Sequence, residues 1–170
     1  IAYILKARVT LLRDLGSAMS PFNAFTFLQG LETLPLRMER HCENTSKVAN
    51  FLSNHSKVSK TIYPSLMKDK YLERAKKYLD NSFGSLLGFE LKNGADAGKK
   101  FIDNLKLLYH VANIGDARSL AIHPSSTTHS QLSEDEKLAA GVTPGYVRLS
   151  IGLEHIDDII EDIEQALSNT

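Results

Sequence analysis

The sequence has no tryptophan, one cysteine, five prolines in 170 residues and no surplus of either charge. Each shortage excludes something. A lone Cys42 makes no intrachain disulfide and no cysteine-rich metal centre, and it suits a reducing compartment. Lysine plus arginine is 20 and aspartate plus glutamate is 20, so no broad positive field awaits a nucleic acid. No apolar run approaches the ~18 residues that suggest a membrane span. No glycine-rich phosphate loop stands between a strand and a helix. No basic leader precedes a cleavage site, so a signal peptide is a poor reading. The expectation is a cytoplasmic protein with no nucleic-acid and no membrane partner.

The first residue is isoleucine, and 1–15 reads as an amphipathic helix already under way, with Ile4, Leu5, Leu12 and Leu15 as candidate core positions. That start points to the later part of a larger protein. The chain is 42% apolar, and at this length folding buries roughly 70% of the extended surface. Gly16-Ser17 stops the first helix, and Ser20-Pro21 starts a long helical tract to about Asn54. Pro35 removes a donor and crowds the preceding turn, so a bend is expected near 31–35. After it, Met38, Cys42, Val48, Phe51 and Leu52 form one apolar face. The expected division is 1–54, helical, and 55–170, a small α/β domain.

From Val58 the periodicity shifts to two. Strands are expected at 58–63, 85–91, 109–113, 118–122 and around Arg148, with helices at 66–78, 95–108, 134–140 and 155–167. Asn81-Ser82-Phe83-Gly84 reads as a turn. In 85–91, Leu87, Phe89 and Leu91 share a face, while Gly88 points the other way and invites a close neighbour. Ser133 and Glu136 have capping-box spacing. The fold class is therefore α/β (α+β): a small, mostly antiparallel sheet with helices on one face, preceded by long N-terminal helices.

The polar residues of greatest interest lie in Gly145-Tyr146-Val147-Arg148-Leu149-Ser150-Ile151-Gly152. Alternation sets Tyr146, Arg148 and Ser150 on the face opposite Val147, Leu149 and Ile151. Either that face is solvated and Arg148 is ordinary, or its planar donor fork awaits a carboxylate. Asn113 through Ser119 is unusually polar for a sheet connection, and Asn113 is able to turn its amide or its backbone towards a ligand. His123 and His129 lack the further ligands a zinc ion needs. Ser125, Ser126 and Ser130 lack the strand–turn setting of a nucleophile. Cys42 reads as a buried core residue. The chain thus offers an anion-binding arginine without evident catalytic machinery.

Three stretches carry a resemblance: Gly30 through His41, Asn113 through Thr128, and Gly141 through Gly152. In order and content they resemble the C-terminal part of the pyridoxal-phosphate enzymes of cysteine and methionine metabolism. Asn113-Ile114-Gly115-Asp116-Ala117-Arg118-Ser119 and Ser126-Thr127-Thr128-His129-Ser130 look most like the O-acetylhomoserine sulfhydrylases of that family. The resemblance implies the C-terminal domain of an aspartate-aminotransferase-like fold (fold type I), with a large cofactor domain upstream of Ile1.

Further expectations follow from it. The residue matching Arg148 holds the substrate α-carboxylate, Asn113 lines the pocket beside it, and Thr128 supports the arginine. The activity implied is exchange of the acetate of O-acetyl-L-homoserine for sulfide or a thiol, in a homo-oligomer, usually a tetramer. The alternative within the family is a cystathionine γ-synthase or a γ-lyase. Outside it, a stand-alone amino-acid-binding regulatory domain remains. The lysine that bears pyridoxal phosphate matches nothing here; Lys6 lacks its strand-and-serine context. No catalytic residue, cofactor-binding residue or metal ligand is therefore expected in the chain itself, and an isolated chain of this length is expected to be inactive and without natively bound cofactor.

Overall fold

The computed structural model describes residues 1–80 and 82–170, so the turn expected at 81–84 lies partly outside the described residues. The chain divides into two compact units, Ile1–Pro35 and Leu36–Thr170.

The first unit holds α1 (Ala2–Lys6), a π-helical stretch Ala7–Leu12, α2 (Arg13–Leu15) and α3 (Pro21–Glu32). Gly16 ends α2 in the left-handed conformation, at φ 68°, where glycine has no side-chain penalty. Ser20 caps α3 by accepting from the backbone of Asn23, with Pro21 in the first turn. None of these helices buries a residue. Ile4, Leu5, Leu12 and Leu15 are exposed rather than core positions, because their apolar sides meet no partner surface.

The long tract is interrupted at Thr33 (φ −106°, ψ 5°), and α4 (Leu34–Ser53) follows. Proline at 35 supplies no N–H and clashes one turn back, which accounts for the interruption. The sequence expectation put the domain boundary near 54. The structure assigns most of α4 to the second unit instead. The reason is physical: Val48, Ala49 and Leu52 are fully buried in the same core as the sheet. Met38 stays partly exposed and Phe51 packs at the margin.

The second unit continues with β1 (Val58–Ile62), α5 (Asp69–Leu79), β2 (Leu86–Leu91), α6 (Gly94–Asn104), β3 (Tyr109–His110), β4 (Leu120–Ile122), α7 (Glu134–Ala139), β5 (Tyr146–Ser150) and α8 (Ile156–Ser168). The sheet order is β1-β2-β5-β4-β3. Three pairings are antiparallel; β3 with β4 is parallel, which strand alternation alone did not reveal. The segment 111–119 carries the chain back in the same direction, a shorter connection than parallel pairs usually take.

One face of the sheet carries Leu87, Phe89, Leu91, Val147 and Leu149, all buried. They share a core with Val48 and Leu52 of α4, Phe101 and Ile102 of α6, and Ile159, Ile163 and Leu167 of α8. Each large side chain buried there contributes roughly 1.5–3 kcal/mol. Phe89 meets Phe101 edge to face, with ring centroids 5.3 Å apart. This is the expected arrangement, a small sheet with helices on one face.

Helix α6 stops at Asn104, short of the expected Leu108. Asp162 of α8 explains the early stop. Its carboxylate accepts from the backbone N–H groups of Lys106, Leu107 and Leu108 at 2.9–3.0 Å. Those donors are then not available to an extended helix. Ser133 and Glu136 form the expected capping box of α7.

Candidate functional site

The other face of the sheet carries the polar set. β5 is central, flanked by β2 and β4, so Arg148 stands between Gly88 and Ile122. Gly88 contributes no side chain, and Tyr146 takes the space. A Cβ at 88 would come within 2.5 Å of Tyr146 Cε2 and 2.8 Å of Cζ. The close neighbour expected at Gly88 is therefore the phenol ring beside Arg148. Burial pushes the Tyr146 phenol above its ordinary value, with the nearby Arg148 charge acting against it.

Arg148 is half-buried. Its Nη2 donates to the backbone carbonyl of Asn113 at 3.3 Å. Its Nε is buried with no partner, and no carboxylate pairs with it among the described residues. A buried guanidinium donor without an acceptor is costly. The arrangement leaves Nη2 committed to the protein and Nε a charged donor still without an acceptor.

The 113–119 segment lies over this strand. Gly115 N–H donates to Ser150 Oγ at 3.2 Å. Arg118 N–H donates to Asp116 Oδ1 at 3.0 Å, and that bond, with the Arg118 charge, holds the Asp116 carboxyl below its ordinary range. The Arg118 guanidinium sits 4.6 Å from the centre of the Tyr109 ring. Because these backbone groups bond to side chains, the two strands expected at 109–113 and 118–122 are reduced to Tyr109–His110 and Leu120–Ile122.

Of the three residues expected at the site, the structure brings Arg148 and Asn113 together, through the Asn113 backbone rather than its amide. Thr128 is not joined to them. It is exposed, and its hydroxyl is 2.9 Å from His129 Nδ1. The expected support of Arg148 by Thr128 has no counterpart in this geometry.

His123 and His129 do not converge on a metal position, and no group of three or more His, Cys, Asp or Glu side chains is placed to hold one among the described residues. His123 is fully buried, with Nε2 at 2.7 Å from the Pro144 carbonyl and Nδ1 at 2.8 Å from Ser126 Oγ. The carbonyl accepts only, so Nε2 carries the proton and Nδ1 accepts from the serine hydroxyl. Burial depresses the His123 pKa below 6.5, helped by Lys99, His110 and Lys137, with the Pro144 carbonyl opposing.

That shift has a stability consequence. Below pH 6.5 the unfolded chain takes up a proton that folded His123 refuses. Folded stability is expected to fall as pH drops through the ordinary histidine range. An NMR titration of the His123 ring should give a midpoint below 6.5; a midpoint at or above it would contradict the burial argument.

Sequence reasoning missed a second group of polar residues. His41, Asn44 and Thr45 are buried on α4 beside Cys42. His41 Nδ1 is 2.6 Å from the Ile151 carbonyl, and Asn44 Nδ2 donates to the carbonyls of Gly152 and Glu154, both at 3.0 Å. Their spacing of three and four residues on a helix with an otherwise apolar face was the available signal. Ser119 and Glu154 also pair, but no local pattern announces a partner so distant in sequence.

Comparison with known proteins places this geometry. The family model for Cys/Met metabolism PLP-dependent enzymes matches residues 3–168. The chain is 61% identical, over 170 residues, to an O-acetyl-L-homoserine sulfhydrylase of Leptospira meyeri, covering 99% of this chain and 38% of that protein. It is 51% identical, over 168 residues, to O-acetyl-L-homoserine sulfhydrylase 1 of Thermus thermophilus, covering 99% of this chain and 40% of that one. A crystal structure of a Campylobacter jejuni protein assigned as an O-acetylhomoserine (thiol)-lyase, containing a pyridoxyl-lysine phosphate, superposes with a TM-score of 0.87 at 47% identity. That match covers 96% of this chain and 39% of the other. The chain thus spans about two fifths of the length of these relatives. A match along nearly its whole length leaves no room for an unrelated stand-alone regulatory domain. With its sheet, its open arginine and its 113–119 segment all matched within 3–168, the chain belongs to the pyridoxal-phosphate-dependent enzymes of cysteine and methionine metabolism.

Proposed function

We propose that this chain is the substrate-carboxylate-binding part of an O-acetylhomoserine sulfhydrylase, which exchanges the acetate of O-acetyl-L-homoserine for sulfide or a thiol. The observation that carries the reading is Arg148. Its guanidinium is tethered at Nη2 by the Asn113 carbonyl, and its buried Nε lacks an acceptor. An α-carboxylate supplies that acceptor as a charge-assisted bond. Tyr146, standing over Gly88, limits where the carboxylate enters. Arg148 therefore fixes one end of the amino acid and, through it, the direction in which the leaving acetate points. The Thr128 hydroxyl bonds His129 rather than Arg148.

The residues present do not fit pyridoxal phosphate. Lys137, the buried lysine among the described residues, is paired with Glu134 at 2.8 Å, and Lys57 Nζ bonds the carbonyls of Leu167, Ser168 and Thr170. In this reading the cofactor is held by the part of the full-length enzyme outside this chain. The exposed Phe22, Phe25 and Phe27, at 76%, 58% and 63%, are then covered by that part or by another subunit of a homo-oligomer, such as a tetramer. No helix among the described residues is long and apolar enough to cross a membrane, and a cytoplasmic setting is proposed on the unpaired Cys42.

The test is a product assay on the full-length protein that contains this chain. O-acetyl-L-homoserine with sulfide should give homocysteine and acetate. Efficient turnover of O-acetyl-L-homoserine with cysteine in place of sulfide, giving cystathionine and acetate, or release of an α-keto acid without added thiol, would overturn the sulfhydrylase assignment in favour of the synthase or lyase.

A further inference from the structure

A carboxylate clamp that leans on a loop is only as good as the loop's position. The 113–119 segment has no regular secondary structure, and Asn113, Ile114, Ala117 and Arg118 are exposed. Its position is nevertheless tied down. Asn113 accepts from Arg148, Gly115 donates to Ser150, and Ala117 O accepts from Leu153 N–H at 2.8 Å. At the far end, Ser119 N–H and Oγ–H donate to the two oxygens of Glu154 at 2.6 and 2.8 Å. Ser119 Oγ in turn accepts from Gly152 N–H at 2.8 Å.

Glu154 itself lies in the turn between β5 and α8. Asn44 holds that turn through the carbonyls of Gly152 and Glu154, and His41 holds it through Ile151. The fit between turn and loop is tight. A Cβ at Gly152 would come within 2.5 Å of Ala117 O and of Arg118 C. The turn is therefore braced by α4 behind it and grips the loop in front.

We infer that Glu154 is a positioning residue for the substrate-carboxylate clamp: its carboxylate, by taking both donors of Ser119, sets where Asn113 meets Arg148. The inference rests on the reading of Arg148 and Asn113 as that clamp. The donor and acceptor count explains why a carboxylate is needed. Ser119 presents two hydrogens, one from its backbone and one from its hydroxyl, and it is fully buried. A glutamate offers an acceptor to each. The serine oxygen is then left to accept from Gly152. A glutamine of the same shape has one oxygen and one NH2 group. With its oxygen on the Ser119 N–H, the glutamine turns its NH2 group towards Ser119 Oγ, and the buried hydroxyl hydrogen loses the acceptor it has in Glu154; the loop shifts to find another.

The experiment uses the full-length enzyme carrying Glu154→Gln, with Arg148→Lys alongside. A loop shift should lower kcat/KM for the amino-acid substrate by about ten- to a hundred-fold, because reacting groups tolerate little misplacement. The loss should fall on KM for that substrate, with KM for sulfide and the cofactor absorbance unchanged. The decisive readout is a pair of inhibition constants, for homoserine and for its α-carboxamide. Wild type should prefer the acid, and Glu154→Gln should lose most of that preference, since the amide gives the clamp no charge to hold. A merely structural role weakens both ligands equally or neither, and either result overturns the inference.

If Glu154→Gln does not accumulate as folded enzyme, Ser150→Ala removes only the acceptor for Gly115 and carries the same expectation; an unchanged acid preference there also overturns it. If Arg148→Lys loses the acid preference while the Glu154 and Ser150 variants keep it, the clamp stands and the positioning role fails. If Arg148→Lys itself keeps the preference, the clamp reading fails and this inference with it.

Discussion

In the full-length enzyme, Arg148→Lys loses at least roughly 30-fold in kcat/KM for the amino-acid substrate while the cofactor spectrum stays as in wild type. The estimate comes from one charged hydrogen bond, on the order of 2 kcal/mol. Lysine keeps the charge but not the fork. In the native protein Nη2 is bound to Asn113 O while Nε faces an unmet need. A single ammonium on a flexible stem does not reproduce two donors held at fixed positions in one plane. Either Asn113 loses its donor and the loop end loosens, or the substrate loses its second bond. Both raise KM, and misalignment lowers kcat as well. Steady-state kinetics with a spectrum on the same sample checks this. Near-normal turnover with near-normal affinity would return Arg148 to an ordinary half-buried arginine.

The second large effect is on stability and arises far from Arg148. Asp162→Ala is expected to cost the chain about 3 kcal/mol or more. Asp162 Oδ2 accepts from Leu107 and Leu108, while Oδ1 accepts from Lys106 and from Gln165 Nε2 at 3.0 Å. Alanine strands three consecutive backbone donors, one of them in the buried interior. It also removes the tie that delivers the chain from α6 into β3. The Leu108 side chain, buried in the core, is expected to lose its seat with it. Urea denaturation measures the difference. A loss below about 1 kcal/mol would mean that water replaces the carboxylate at all three donors.

These two residues mark what was legible in the sequence. Arg148 was legible because a period of two puts it, with Tyr146 and Ser150, on the opposite side of a strand from Val147 and Leu149. Strand β2, the capping box at Ser133 and the helix expected at 155–167 were legible for the same reason: each is a local pattern with a local cause. Asp162 carries no such local signal, although it is buried. Its partners lie at 106–108, and nothing near 162 encodes them. The pairing of Ser119 with Glu154 was hidden in the same way. The parallel β3–β4 pairing depends on where a loop turns, which local periodicity does not carry. Thr128 came from resemblance alone, and the hydroxyl is found bonded to its neighbour His129.

The sheet order gives the synthesis of this chain a particular timetable. β5 is made after every other strand, yet it belongs in the middle, between β2 and β4. Until Tyr146–Ser150 leaves the ribosome, β2 has only β1 to pair with and β4 only the two residues of β3. Ribbons of two strands are marginal in water. Val147, Leu149, Ile151, Ile159, Ile163 and Leu167 join the core only with this late stretch. The strand that bears Arg148 is therefore also the keystone. A nascent chain that lacks it cannot close the sheet, so a ribosome that stalls short of Tyr146 leaves an open chain for chaperones or proteases rather than a folded, half-competent domain.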